Sequence, residues 1–359
     1  MNTVITGIHY CLPEGHITNV DLAHRFGEKA INSISRMSGI QDRRVAPEGV
    51  TAADLAACAA ERLLTAKGIR REEIDLVIFA SQTPDYQIPA TACVLHERLG
   101  LGQDCACFDI NLGCSSFPYT LATAHGYLMS GIAHTALLLN GDTISHVIHP
   151  GDKSLATLHG DAATATLMET TDESGAGFVG FRLGTDGSGW RHIVMPSSGA
   201  RSPRRLETMK ETVDASGNTN SPQHLQMNGA AVFHFSLYKV PEVIRGALLA
   251  CKLTIDDIDL VLLHQANRTM DDMIYKSLKV PAEKQFYFLE HVGNAAGASS
   301  PMLLAEAWRQ GRLRPGSLVL IAAFGNGLSW GVTIIRWPKI LSGPVDAPTD
   351  YLPQIDKKA

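Results

Sequence analysis

The 359-residue chain is predicted to be an α/β protein built from two similar halves. Short apolar runs of strand character alternate with longer Ala- and Leu-rich stretches at helical spacing. A helix, an acidic turn containing Ile-Asp and a buried strand follow one another twice, which reads as an internal duplication. The apolar runs that end at Ile110 and Phe324 both break into glycine turns.

The elements follow in order. Residues 52–67 place Ala56, Ala60, Leu63 and Leu64 at helical spacing, and Gly68 stops the helix. An acidic turn at 72–75 feeds a strand over 75–81. A strand around 107–110 enters the tight Gly113 turn, and a helix opens at Ser115 with Pro118 in its first turn, where a missing N–H does no harm. Residues 135–139 and 163–167 read as further strands. In the second half, a helix over about 240–251 leads through 255–259 into the strand 260–263. Pro301 opens a helix to Arg309, and 318–324 is a buried strand. The halves are taken as 1–172 and 173–359. The polar segment 197–220 is an exposed excursion whose Arg201, Arg204 and Arg205 form a solvated charged loop or face an acidic partner. The stretch after Pro338 reads as a surface-draped terminus.

Composition narrows the function. A formal charge of -5, with no block of like charges, argues against a general nucleic-acid binder. No apolar stretch reaches the ~20 residues of a membrane span, and no signal-peptide pattern opens the chain, so the cytoplasm is the expected compartment. Seven cysteines are an odd, scattered set that fits reduced thiols, and Cys105 and Cys107 lack metal-ligand spacing.

Four segments carry chemistry. Cys114 sits where a strand turns into a helix. Free N–H groups and the positive helix end there favour a thiolate, so a lowered pKa is expected. Cys58, Cys93 and Cys251 read instead as small buried hydrophobes. His264 ends an apolar strand, and the carboxyl ends of strands open into the ligand crevice of α/β sheets. His125, His134, His146 and His149 read as surface or satisfied core residues. Asn294 lies in a small-residue turn from which its amide can point into a pocket. The turn Gly325-Asn326-Gly327 lets a main-chain N–H approach a substrate oxygen. No helix with a third glycine follows it, which excludes a dinucleotide site.

Together these segments resemble the β-ketoacyl-acyl-carrier-protein synthase III family of thiolase-fold condensing enzymes. The likeness runs through 38–40, 83–89, 109–117, 160–163, 263–267, 293–301 and 325–331. It implies a five-layer α-β-α-β-α body of two duplicated halves, usually a homodimer. It implies that Cys114 carries the acyl group, that backbone N–H groups of Cys114 and Gly327 form the oxyanion hole, and that His264 and Asn294 stabilise the enolate of a decarboxylating malonyl-acyl carrier protein. Acyl-CoA or an acyl-carrier protein would be the donor. No metal, redox cofactor, membrane or nucleic acid is implied. Ile88, before Pro89, falls where relatives place a residue at the dimer contact that bounds the acyl pocket.

The departures concern the donor. In CoA-primed members an aromatic and an arginine clamp the adenine; here the aromatic is missing and Met37 stands at the arginine position. Lys153 falls near a second expected arginine. Arg268 and Lys276 are candidates for a surface that meets an acidic carrier, or are ordinary solvated charges. A specialised homologue making a β-diketone, pyrone, resorcinol-type or ester product is the alternative, and a non-catalytic subunit of a synthase is another. A thiolase proper would need a second cysteine near the C-terminus, and none follows Cys251. A papain-like hydrolase has different surroundings for its cysteine.

Overall fold

The computed structural model describes residues 2–339 and 350–351. Its first sheet has the strand order Asp350–Tyr351, Asn2–Pro13, Ala162–Thr171, Thr135–Asp142, Leu76–Ala80, Ala106–Ile110. Leu76–Ala80 runs parallel to both Thr135–Asp142 and Ala106–Ile110, whereas Thr135–Asp142 and Ala162–Thr171 are antiparallel. The second sheet has the order Leu260–Leu263, Leu318–Gly325, Ser329–Arg336, Gly177–Thr185.

Strands covered on both faces must be apolar on both, which is why these segments read as unbroken runs. Leu76 and Ile78 face an inner core, while Val77 and Phe79 face an outer one. Leu260 and Leu262 enter that same inner core, and Val261 and Leu263 enter a third. Three cores therefore bind five layers. Helices Ala52–Lys67 and Thr91–Arg98 cover the outside of the first sheet. Helices Ser116–Met129 and Ser299–Arg309 fill the space between the sheets. Helices Gly229–Ala250 and Arg268–Leu278 cover the second sheet.

The repeated Ile-Asp signal has a physical cause. Asp75 accepts the backbone N–H of Thr135 at 3.1 Å, and Asp259 accepts that of Leu318 at 2.8 Å. In each copy the carboxylate fixes the start of the strand that then pairs in parallel with its own.

Some expectations shift. The helix expected at 240–251 begins eleven residues earlier, at Gly229, and carries Pro241 in its interior. Its start is set by Asn228, whose side chain accepts the Ala231 N–H at 3.1 Å. The first-half helix opens at Ser116, with Ser115 as its cap residue. The excursion 197–220 contains a short 3-10 turn, Leu206–Met209, and the small ribbon Thr212–Val213 with Thr219–Asn220. It is tied down at its base, where Asn218 Nδ2 donates to Ser154 Oγ at 3.0 Å and Asn220 Nδ2 to Asp152 Oδ2 at 2.9 Å. Most of the terminal segment after Pro338 lies outside the described residues.

Candidate active site

Cys114, His264 and Asn294 line one cavity of about 480 Å³, located where the parallel strands of both sheets end. The sequence places them 150 and 30 residues apart; the fold converges them because each follows, or packs against, a strand terminus.

Cys114 is set by two glycines. A Cβ at Gly113 would lie 2.4 Å from Gln82 Oε1, and one at Gly325 would lie 2.7 Å from Cys114 Cβ. Only glycine lets the second-half turn come this close to the thiol. Behind it, Ser115 Oγ and Ser329 Oγ are 2.6 Å apart and join the two halves.

The electrostatics overturn one expectation. Rather than being lowered, the Cys114 pKa is pushed up to about 12, first by burial and then by the Asp142 carboxylate. The helix end acts only locally and is outweighed by loss of water around the sulfur. Asp142 accepts N–H groups from Gln82 at 2.7 Å and Gly297 at 3.1 Å, yet burial still raises its pKa to about 6. The resting sulfur is thus a thiol. Iodoacetamide alkylation of the free enzyme is expected to rise about tenfold per pH unit from pH 7 to 10 without a plateau, since thiolate grows with pH up to the pKa. Asp142→Asn should speed alkylation at a fixed pH above 6. A plateau near pH 7 would contradict this account.

His264 is 2 % exposed, its backbone N–H bonded to Ala322 O at 2.8 Å and its ring edge-on to Phe324 at 5.6 Å. Burial, with a smaller effect of His159, lowers its pKa to about 3. The ring is neutral, and its Nδ1 has no hydrogen-bond partner among the described residues. Asn294 is fixed by its backbone N–H to Leu158 O at 2.8 Å, and its side-chain Oδ1 accepts the Ala296 N–H at 3.0 Å. With the oxygen occupied, the amide presents its NH₂ as the available group.

Two residues escaped the sequence reading, one on the cavity wall and one behind it. His159 lines the cavity with a pKa lowered to about 4 by burial. Asp142 stands close enough to act on the Cys114 sulfur; a charged residue ending the apolar run 135–142 was its only sequence signal.

The remaining candidates separate. Gly325 and Asn326 stand on the cavity wall, whereas Gly327 does not and packs towards Ser329. Gly325 is the turn residue packed against Cys114. Ile88 is 88 % exposed and outside its own chain's cavity. Lys153 bonds to the Ser216 carbonyl and so serves the excursion. Arg268 pairs with Asp272 at 2.9 Å and covers the Tyr287 ring at 3.7 Å. It packs on the Gly39 turn beside Ala266, Asn267 and Met270, which line the cavity. Lys276 is exposed two helical turns further on. Among the described residues, no group of three His, Cys, Asp or Glu side chains could hold a metal ion, and no helix is long and apolar enough to cross a membrane.

A thiol, two neutral donors and a glycine turn at the ends of parallel strands in a five-layer body define a thiolase-fold condensing enzyme. Residues 108–187 match the family 3-oxoacyl-[acyl-carrier-protein] synthase III, and residues 248–337 match its C-terminal family. The β-ketoacyl-[acyl-carrier-protein] synthase III of Caldanaerobacter subterraneus subsp. tengcongensis is 34% identical over 339 residues, 93% of this chain and 98% of the relative. A crystal structure of 3-oxoacyl-(acyl-carrier-protein) synthase III superposes with a TM-score of 0.92 at 36% identity, covering 94% of this chain and 100% of that one. A priming β-ketosynthase from a polyketide pathway gives 0.81 at 26% identity, covering 94% and 97%. The chain belongs to the β-ketoacyl-acyl-carrier-protein synthase III family and is an acyltransferase of that type.

Proposed function

We propose that the enzyme carries out acyl transfer to Cys114 followed by decarboxylative condensation with malonyl-acyl carrier protein. In the first half-reaction the Cys114 sulfur attacks the donor's thioester carbonyl. The C–S bond to the donor breaks, and the thiol proton leaves with the released CoA or carrier thiol. In the second, the malonyl C–C bond breaks, carbon dioxide departs and the electron pair becomes an enolate. Neutral His264 and the Asn294 NH₂ donate to that oxygen as its charge grows. The enolate carbon then attacks the acyl-cysteine, the C–S bond breaks, and the sulfur recovers a proton. The product is a β-ketoacyl carrier protein.

The observation that carries this reading is the convergence of Cys114, His264 and Asn294 on one cavity, with the Asn294 oxygen already occupied. No bound metal or redox group enters these steps. The relatives' names point to an acyl carrier protein as partner. A homodimer working in the cytoplasm completes the proposal. The weaker likeness to the polyketide-priming enzyme, 26% against 36%, makes a specialised condensation the second choice. The test supplies acyl-CoA and acyl-carrier donors with malonyl-acyl carrier protein and identifies products by mass spectrometry. A β-ketoacyl carrier product, sensitive to iodoacetamide, is expected; absence of any carbon–carbon bond formation would reject the reading.

In this proposal the exposed Ile88 reaches the acyl pocket of a partner subunit. Ile88→Phe should then shift the acyl profile toward shorter chains by about tenfold in relative kcat/KM, the scale of one to two methylenes. An unchanged profile would remove Ile88 from the pocket.

A further inference from the structure

A second cavity of about 510 Å³ adjoins the first, and Val194, Met195 and Ser198 line both. The partition is thin because it rests on a two-residue ribbon, Ile193–Val194 paired with Gln226–Met227. Alternate side chains of a ribbon face opposite ways. Accordingly Ile193 and Met227 face the cavity of Cys114, whereas Gln226 lines only the second space. The floor of the second space is apolar, formed by Trp190, Val194, Met195 and Pro196. Its other residues include two guanidinium groups. Arg191 lies 4.2 Å from the Trp190 ring centre, and Arg201 comes from the start of the excursion. Among the described residues neither arginine meets a carboxylate. An apolar surface hollow that shares a wall with the Cys114 cavity and carries two guanidiniums meeting no carboxylate suits a ligand with a hydrocarbon body and an anionic end.

Resting on the acyl-transfer reading above, we infer that the acyl group held by Cys114 extends past Val194 and Met195 into the second cavity, where Arg191 and Arg201 receive a terminal carboxylate. The preferred donor class is therefore an ω-carboxyacyl thioester. Its loading is the thioester exchange already described, with the distal carboxylate unchanged.

The test measures Cys114 loading by intact mass on the full-length enzyme with acetyl-CoA, octanoyl-CoA and suberyl-CoA, the last being the ω-carboxylate of equal carbon count. Suberyl should load at least about tenfold faster than octanoyl, the scale of one charge-assisted hydrogen bond. The double variant Arg191→Gln/Arg201→Gln should bring that ratio to near one. Gln226→Trp, which fills only the second space, should depress suberyl loading about tenfold relative to acetyl. Equal loading of octanoyl and suberyl by the wild type, or a ratio unmoved in the double variant, overturns the inference while leaving acyl transfer intact. Failure of every donor, acetyl included, would reject the acyl-transfer reading itself, and this inference with it.

Discussion

Cys114→Ala is expected to abolish acyl loading: no mass increase on exposure to any donor, and condensation reduced by at least about a thousandfold. The sulfur is the only atom on the cavity wall able to form a thioester, since the other described cysteines lie elsewhere. Alanine fits the site without strain because the surrounding space is already shaped for a small side chain by Gly113 and Gly325. Loss of activity should therefore come without loss of fold, checked by an unchanged thermal midpoint. Full loading of the variant at another residue would sink the assignment.

The second large effect separates the two half-reactions. His264→Ala and Asn294→Ala should each still load acyl groups, yet slow condensation by about a hundred- to a thousandfold, the usual loss of one preorganised donor, ~3 kcal/mol. Rapid-quench measurement of loading and product formation distinguishes the steps. The pH dependence has a definite sign. With a pKa near 3, His264 gains its proton only as the pH falls towards that value. Its ionisation should give condensation no inflection between pH 5 and 8. An inflection near 6.5 that disappears in His264→Ala would show a ring that titrates in the ordinary range and contradict the neutral donor.

Much of the architecture was legible because it depends on local rules. Apolar runs such as 76–80 and 260–263 announce strands covered on both faces, and Gly68 ends its helix as expected. Cys114, His264 and Asn294 could be picked out since each sits at a recognisable strand end or glycine turn. What sequence proximity could not supply was the company each keeps. The positive helix end at Cys114 is visible in the sequence, but Asp142, 28 residues further on, and the burial that reverses the pKa shift are not. Likewise the close approach of Gly325 to Cys114, from a turn 211 residues further on, could not be read from the sequence. Lys153, chosen for its charge, is drawn away by a carbonyl of the excursion, a partner 63 positions along the chain.

The close contact between Cys114 and Gly325, backed by the Ser115–Ser329 bridge, makes the seam between the halves a gauge of reaction distance. In the proposed mechanism one half delivers the attacking atom, and the other delivers the turn and donors that must meet it. Helices Ser116–Met129 and Ser299–Arg309 act as the spacer that holds this separation. Since an ångström of misplacement costs about a hundredfold in rate, changes in side-chain volume on these inner helices are expected to alter turnover from positions no substrate touches.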